Sequence, residues 1–216
     1  TANGIISAAA LPNLANAGND LIGCMGNYPI PVIGTVTNAP SGQWSGGTGT
    51  ILGTGPQVQY HPSTAEILAG GVDLVLTTTG NTNCPPATDT VHITLSNSFL
   101  STSLVASSAT CQGSSTGSLS FVPASTAFQY LWNDPQGQTT AIATGLNAGA
   151  YTVLVTDTLG CDTAFTGTIT EPQALVVQQV SVTDVSCNAG STGSIGLSVQ
   201  GGTPGYTVLW SNGQSG

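Results

Sequence analysis

Chemistry in this 216-residue chain must come from five cysteines, two histidines, nine acidic side chains and its hydroxyls, because Lys and Arg are absent altogether. The nucleophile-elbow pattern Gly-x-Ser-x-Gly occurs at Gly113-Ser114-Ser115-Thr116-Gly117. An elbow needs a strand-to-helix turn with Asp and His downstream, but His61 and His92 both lie upstream. The segment therefore reads as a loop. His61 precedes a proline and His92 falls on the outward, Thr-rich face of a strand, so each is expected as a solvated β residue and not a general base. Asp134, Asp157 and Asp162 carry the oxygen ligands a Ca²⁺ site would use, but no Asp-x-Asp-x-Asp loop accompanies them. Asp157 is expected to bond backbone amides in its own turn. No catalytic residue, resident metal or cofactor is expected.

An average chain of this length would carry roughly two dozen basic residues. Their absence excludes nucleic-acid binding by phosphate neutralisation, P-loop chemistry, Schiff-base catalysis and bidentate Arg recognition. Trypsin-like proteases find no site, and Lys–Asn isopeptide cross-links cannot form. With a formal charge of −9 but 39% hydrophobic residues, the chain has enough apolar material to fold, unlike a disordered chain. No apolar run approaches the ~20 residues of a membrane-spanning helix, so no membrane insertion is expected. No initiator Met or signal-peptide layout is present, and the chain is expected to be a piece of something longer.

The elements that must position these groups are strands. Val72–Thr77 is a β-rich run, Thr90–Leu95 places Val91, Ile93 and Leu95 on one face, and Tyr151–Thr156 places Tyr151, Val153 and Val155 on another. Short alternating runs between Gly, Pro and Asn at intervals of about 8–12 residues are the pattern of β-sandwiches. The one helical candidate is Ser63–Ala69, with Ser63 as cap and Glu66 three residues on. An internal repeat runs through the second half. Cys111 aligns with Cys187, Gly117-Ser118-Leu119 with Gly193-Ser194-Ile195, and Leu131-Trp132 with Leu209-Trp210, a period of 76 residues (187 − 111) with small insertions between matched strands. The expected organisation is a first module at 1–98, a complete repeat at 99–172 and the first part of a second repeat at 173–216. Trp132 and Trp210 are expected in sandwich cores against a disulfide. Trp44, amid Gly and Ser, is the candidate for an exposed carbohydrate platform.

Sorted by module, the cysteines pair as Cys24 with Cys84 and Cys111 with Cys161, leaving Cys187 unpaired by truncation. Each bridge would close about 50–60 residues and contribute roughly 4 kcal/mol in the chain-entropy model. Scattered single cysteines without nearby His make a metal site the weaker alternative. Disulfides imply an oxidising, extracellular setting.

The segment Cys111–Pro172 closely resembles the SprB-type repeat of giant cell-surface adhesins in gliding Bacteroidota. The resemblance is carried by Cys-x5-Gly-Ser-Leu, Tyr130-Leu131-Trp132, Gly145-Leu146-Asn147-Ala148-Gly149-Ala150-Tyr151, Val155-Thr156-Asp157 with Gly160-Cys161, and Thr168-Ile169-Thr170-Glu171-Pro172. Residues 187–216 match its front half, and 1–98 look like the PKD-like or Ig-like modules that accompany such repeats. Asn133-Asp134-Pro135 is an insertion that lengthens a hairpin loop. The resemblance implies an all-β array of tandem Ig-like sandwiches, one disulfide per module, exported by a type IX system and displayed at the cell surface in adhesion or gliding. Expected partners are neighbouring modules, identical chains in a filament and surface polysaccharide. Asp-Thr-apolar triplets at Asp89-Thr90-Val91, Asp157-Thr158-Leu159 and Asp162-Thr163-Ala164 resemble the O-glycosylation signal of exported Bacteroidota proteins, marking Thr90, Thr158 and Thr163. A polysaccharide-binding region of a secreted enzyme and a self-assembling sheath subunit remain the alternatives.

Overall fold

The computed structural model describes residues 11–81 and 84–216. Residues 1–10, assigned above to the first module, and 82–83 lie outside it. Among the described residues the regular structure is seventeen strands and one six-residue helix. The chain forms two compact units. One runs to Ser101 and includes Asp157–Asp162; the other comprises Thr102–Thr156 and Thr163–Gly216.

In the first unit β1 (Leu14–Asn16) pairs with β4 (Thr35–Thr37). A four-stranded sheet has the order β2 (Leu21–Gly23), β9 (Thr88–Leu95), β8 (Gly71–Thr79), β5 (Ser41–Ser45), with β2 parallel to β9 and the other pairs antiparallel. A three-stranded sheet has the order β3 (Ile30–Ile33), β7 (Gln57–His61), β6 (Thr50–Leu52). The period-2 alternation sends one face of each strand inward. Val32 and Tyr60 from the smaller sheet meet Trp44, Leu74, Leu76, Val91, Ile93 and Leu95 from the larger one in a single apolar cluster. Val91, Ile93 and Leu95 are buried as their spacing predicts.

The helix α1 (Thr64–Ala69) forms at the predicted place and for the predicted reason. Ser63 caps it, Glu66 returns a bond to the Ser63 amide, and Gly70 ends it in the left-handed region at φ 83°, where glycine carries no Cβ penalty. Glu66 is buried and accepts hydrogen bonds from the amides of Thr48, Gly49 and Ser63 and from the Tyr60 hydroxyl.

The second unit opens with a complete sandwich. One sheet is β10 (Ser103–Ser107), β11 (Gly117–Val122), β13 (Ile142–Leu146), and the other is β12 (Gln129–Trp132), β14 (Gly149–Thr156), β15 (Asp162–Ile169). Their inner faces touch through Phe121, whose ring lies 5.6 Å from Tyr130 and 5.1 Å from Phe165, both edge-on. Trp132 is buried and its Nε1 donates to Thr140 O at 2.8 Å. Val153 and Val155 are fully buried as predicted, with Tyr151 half-buried.

An antiparallel ribbon of β16 (Val176–Thr183) and β17 (Ser194–Gln200) repeats the first pairing of that sandwich. The partners Val105↔Ser120, Ala106↔Leu119 and Ser107↔Ser118 recur 76 residues on as Ser181↔Gly196, Val182↔Ile195 and Thr183↔Ser194. Trp210 departs from expectation. It is half-buried, because β16 is exposed along its whole length and among the described residues no second sheet covers its ribbon as one covers Trp132.

Burial opposes the charge of Glu66, but the hydrogen bonds from Thr48, Ser63 and Tyr60 outweigh it and hold the carboxyl at about 2, below its ordinary 4.5. A depressed carboxyl contributes stability that is complete above about pH 4.5 and is lost as pH falls through about 2. Replacing Glu66 by Gln is expected to lower stability by roughly 2–3 kcal/mol at pH 7, the worth of hydrogen bonds to a charged group. Urea titrations of both proteins should show that deficit closing between pH 4.5 and 2.

Candidate functional site

The cysteines do not pair within the predicted modules. Cys24 is bonded to Cys161, 137 residues away, with a Cα–Cα distance of 5.4 Å. Cys84, Cys111 and Cys187 are free thiols. Strand geometry explains why both expected bridges fail. Gly23 lies opposite Leu95 and its carbonyl accepts from the Ser96 amide, so Cys24 sits at the C-terminal end of β9. Cys84 precedes Thr88, at the other end of the same strand. Eight residues at about 3.3 Å each separate the two ends by roughly 25 Å, and a disulfide tolerates no more than about 7 Å between Cα atoms. The same holds for the second expected pair. Ala109 donates to Thr170 O and Gly113 to the Glu171 carboxylate, which places Cys111 at the C-terminal end of β15. Cys161 precedes Asp162, the first residue of that strand.

Cys161 is held by the turn Asp157-Thr158-Leu159-Gly160-Cys161. Gly160, at φ 81°, lets the chain reverse, and its amide donates to Asp157 O. Asp157 Oδ1 accepts from the amides of Leu159 and Cys161, both at 2.9 Å, and Oδ2 accepts from Ser96 Oγ at 2.6 Å. Burial works against this carboxylate's charge, and the bonds from Ser96, Cys161, Ser98 and Leu159 overcome it, keeping its pKa below the usual range. Ser96, Asp157 and Cys161 are all buried and Cys24 is half-buried, so the Cys161 sulfur is shielded and its neighbouring charge satisfied.

The other candidate residues are dispersed. Asp134 spends its oxygens on the amides of Gln136 and Gln138 and on the Gln138 side chain, while Asp162 is exposed. Among the described residues no three His, Cys, Asp or Glu side chains gather as metal ligands, so Asp134, Asp157 and Asp162 do not come together as a Ca²⁺ site would require. Trp44 is only 4% exposed and its Nε1 donates to Pro56 O. It alternates inward with Gly42 along β5, and no ring face is left for a sugar to stack on. Gly113–Gly117 leads into β11 and not into a helix, and Ser114 Oγ donates to Cys111 O. His61 is exposed; exposed His92 pairs through Nδ1 with Asp73 at 2.6 Å. Thr90 and Thr158 are exposed and Thr163 is half-buried. No helix of the described residues is long and apolar enough to cross a membrane.

The family model described as the SprB repeat matches residues 180–215. No curated protein matches the chain. Among solved structures, it is similar to protocadherin gamma B2 extracellular cadherin domains 3–6, with 10% identity over 88% of this chain and 55% of that one and a TM-score of 0.33. It is also similar to protocadherin gamma B7 extracellular cadherin domains 1–4, with 11% identity over 88% of this chain and 59% of that one and a TM-score of 0.32. The chain thus spans little more than half the length of either. Overlap of this degree leaves the sandwich assignment resting on the strand pairings themselves.

Breaking the bridge by Cys24→Ser is expected to cost up to about 5 kcal/mol in the chain-entropy model for a 137-residue separation. Guanidinium denaturation of the variant against the oxidised parent measures it. A Cys84→Ser variant should match the parent within about 0.5 kcal/mol, as substitutions away from such features do.

Proposed function

We propose that this chain is a segment of a long extracellular surface adhesin or filament, in which sandwich modules act as non-enzymatic spacers in cell-surface adhesion or gliding. The observation that carries this reading is the Cys24–Cys161 disulfide. Such bonds form and persist in oxidising compartments outside the cytosol. The SprB repeat match at 180–215 supports it, as does the recurrence at 76 residues of three β10–β11 strand pairings in β16–β17, since a repeated module at fixed period builds arrays. Export would follow the type IX route that the resemblance implies. Adhesion would arise from many copies of weak contacts acting together, with avidity in place of a single tight site. Identical chains and surface polysaccharide are the proposed partners.

The buried position of Trp44 weighs against the accessory region of a polysaccharide-degrading enzyme, because that reading has lost its stacking platform. Modification is the remaining part of the proposal. Thr90 and Thr158 present exposed hydroxyls after Asp in loops or strand faces open to a transferase, and Thr163 presents a less accessible one.

Electron microscopy of the native full-length material, at the cell surface and after release, is expected to show long beaded threads. A compact secreted particle would overturn the spacer reading. Mass spectra of peptides covering Thr90, Thr158 and Thr163 from the same material should show glycan mass on at least the two exposed threonines. Unmodified peptides at all three positions would remove glycosylation from the proposal.

A further inference from the structure

The bonded cysteines occupy two recurring places. Cys24 follows a short segment lying against the C-terminal end of its module's last strand, β9. Cys111 follows an equivalent segment against the C-terminal end of β15, where Ala109 donates to Thr170 O and Ser108 Oγ meets Thr170 Oγ1 at 2.7 Å. Cys187 repeats the Cys111 turn: Thr110 and Ser186 each donate an amide to a threonine hydroxyl six residues on, Thr116 and Thr192, both at 2.9 Å. Cys24 and Cys111 are exit cysteines, and Cys187 shares the turn of Cys111. Cys161 lies in the turn before the last strand of its repeat, at the opposite end, and Cys84 lies in the corresponding turn before β9. These two are turn cysteines. The two kinds sit a strand's length apart within a module and cannot bond there. The bond that does form, Cys24–Cys161, joins the exit cysteine of one module to the turn cysteine of the repeat that follows it in sequence.

We infer that Cys111 is a second such disulfide site, whose partner is the turn cysteine of a further SprB repeat, carried in an Asp-x-x-Gly-Cys turn like Asp157–Cys161. Three observations bear on it. Cys111 is an exposed free thiol. Its structural equivalent, Cys24, is bonded to that kind of turn. The repeat after it lies against its neighbour, since Thr203 Oγ1 donates to Thr110 O at 2.9 Å, one residue from Cys111. The inference rests on the extracellular reading, because the bond needs an oxidant. That oxidant is a reactive protein disulfide of a thiol oxidoreductase. The Cys111 thiolate attacks one oxidant sulfur and releases the other as a thiol. The turn-cysteine thiolate then attacks the Cys111 sulfur, forming the new bond and releasing the second oxidant thiol. The two protein thiols lose two protons and two electrons, and the oxidant disulfide becomes a dithiol.

The test uses the native full-length protein, with free thiols blocked by N-ethylmaleimide before unfolding and cleavage by endoproteinase Asp-N without reduction. Mass spectrometry is expected to find Cys111 unlabelled and released only on reduction, together with a peptide beginning Asp-x-x-Gly-Cys. A linked species that runs at single-chain size on a non-reducing gel assigns the partner repeat to the same chain, and one of larger size assigns it to a second chain. Maleimide-labelled Cys111, or Cys111 bonded to Cys84, Cys161 or Cys187, overturns the inference. If Cys24–Cys161 is intact in that digest, the extracellular reading stands while this one falls. If Cys24 and Cys161 are also labelled, both fall.

Discussion

With no Lys or Arg in the chain, a carboxylate that leaves water must be held by dipoles, and that constraint shapes the local structure of both units. Among the described residues the one ion-pair contact is the exposed His92–Asp73 pair. The buried acids Glu66, Asp134 and Asp157 instead collect amide and hydroxyl donors. A hydrogen bond to an ionised acceptor is roughly twice as strong as one between neutral groups, and in a low-dielectric surrounding it gains further. Each acid consequently organises a loop that has no regular structure of its own. Glu66 ties the Thr48-Gly49 segment to the start of α1, Asp134 closes the loop after β12, and Asp157 shapes the turn that presents Cys161. Removal of these acids would leave buried amide and hydroxyl donors without their acceptor.

Much of the fold was legible in the sequence because its causes are local. The alternation of Thr90–Leu95 dictates which face is buried, and Ser63 and Glu66 are three residues apart on the chain they cap. The repeat was legible in the register of Val105–Ser107 with Ser118–Ser120, whose partners recur 76 residues on, while a bulge between Gln179 and Ser181 shifts the remainder of β16. The insertion after Trp132 was legible too. The Trp132 amide reaches Gln138 O across six residues, whereas the Trp210 amide reaches Gln214 O across four.

The site was legible in its parts but not in its pairing. Five cysteines and plausible module limits favour the bonds that are short in sequence, whereas the ends of a fully extended strand are far apart in space. The direction of β9 and β15 relative to their flanking cysteines held the missing signal: a cysteine before a last strand and one lying beside that strand's end cannot meet. Trp44 was misjudged for a simpler reason. Its Gly and Ser neighbours suggested a surface loop, but the alternation of Gly42 and Trp44 about Gln43 is that of a strand with one face inward.

The Cys24–Cys161 bond also changes how the chain would respond to tension. A load applied between the two termini travels along the covalent backbone, and at Cys24 it crosses to Cys161 through the sulfur atoms. The intervening strands β3 to β14 are taken out of the loaded path. Those 137 residues represent roughly 450–490 Å of contour length, which stays hidden for as long as the disulfide is intact. Under pull, the oxidised chain would therefore yield chiefly in the residues outside that loop, and its reach would be set by the redox state of one bond.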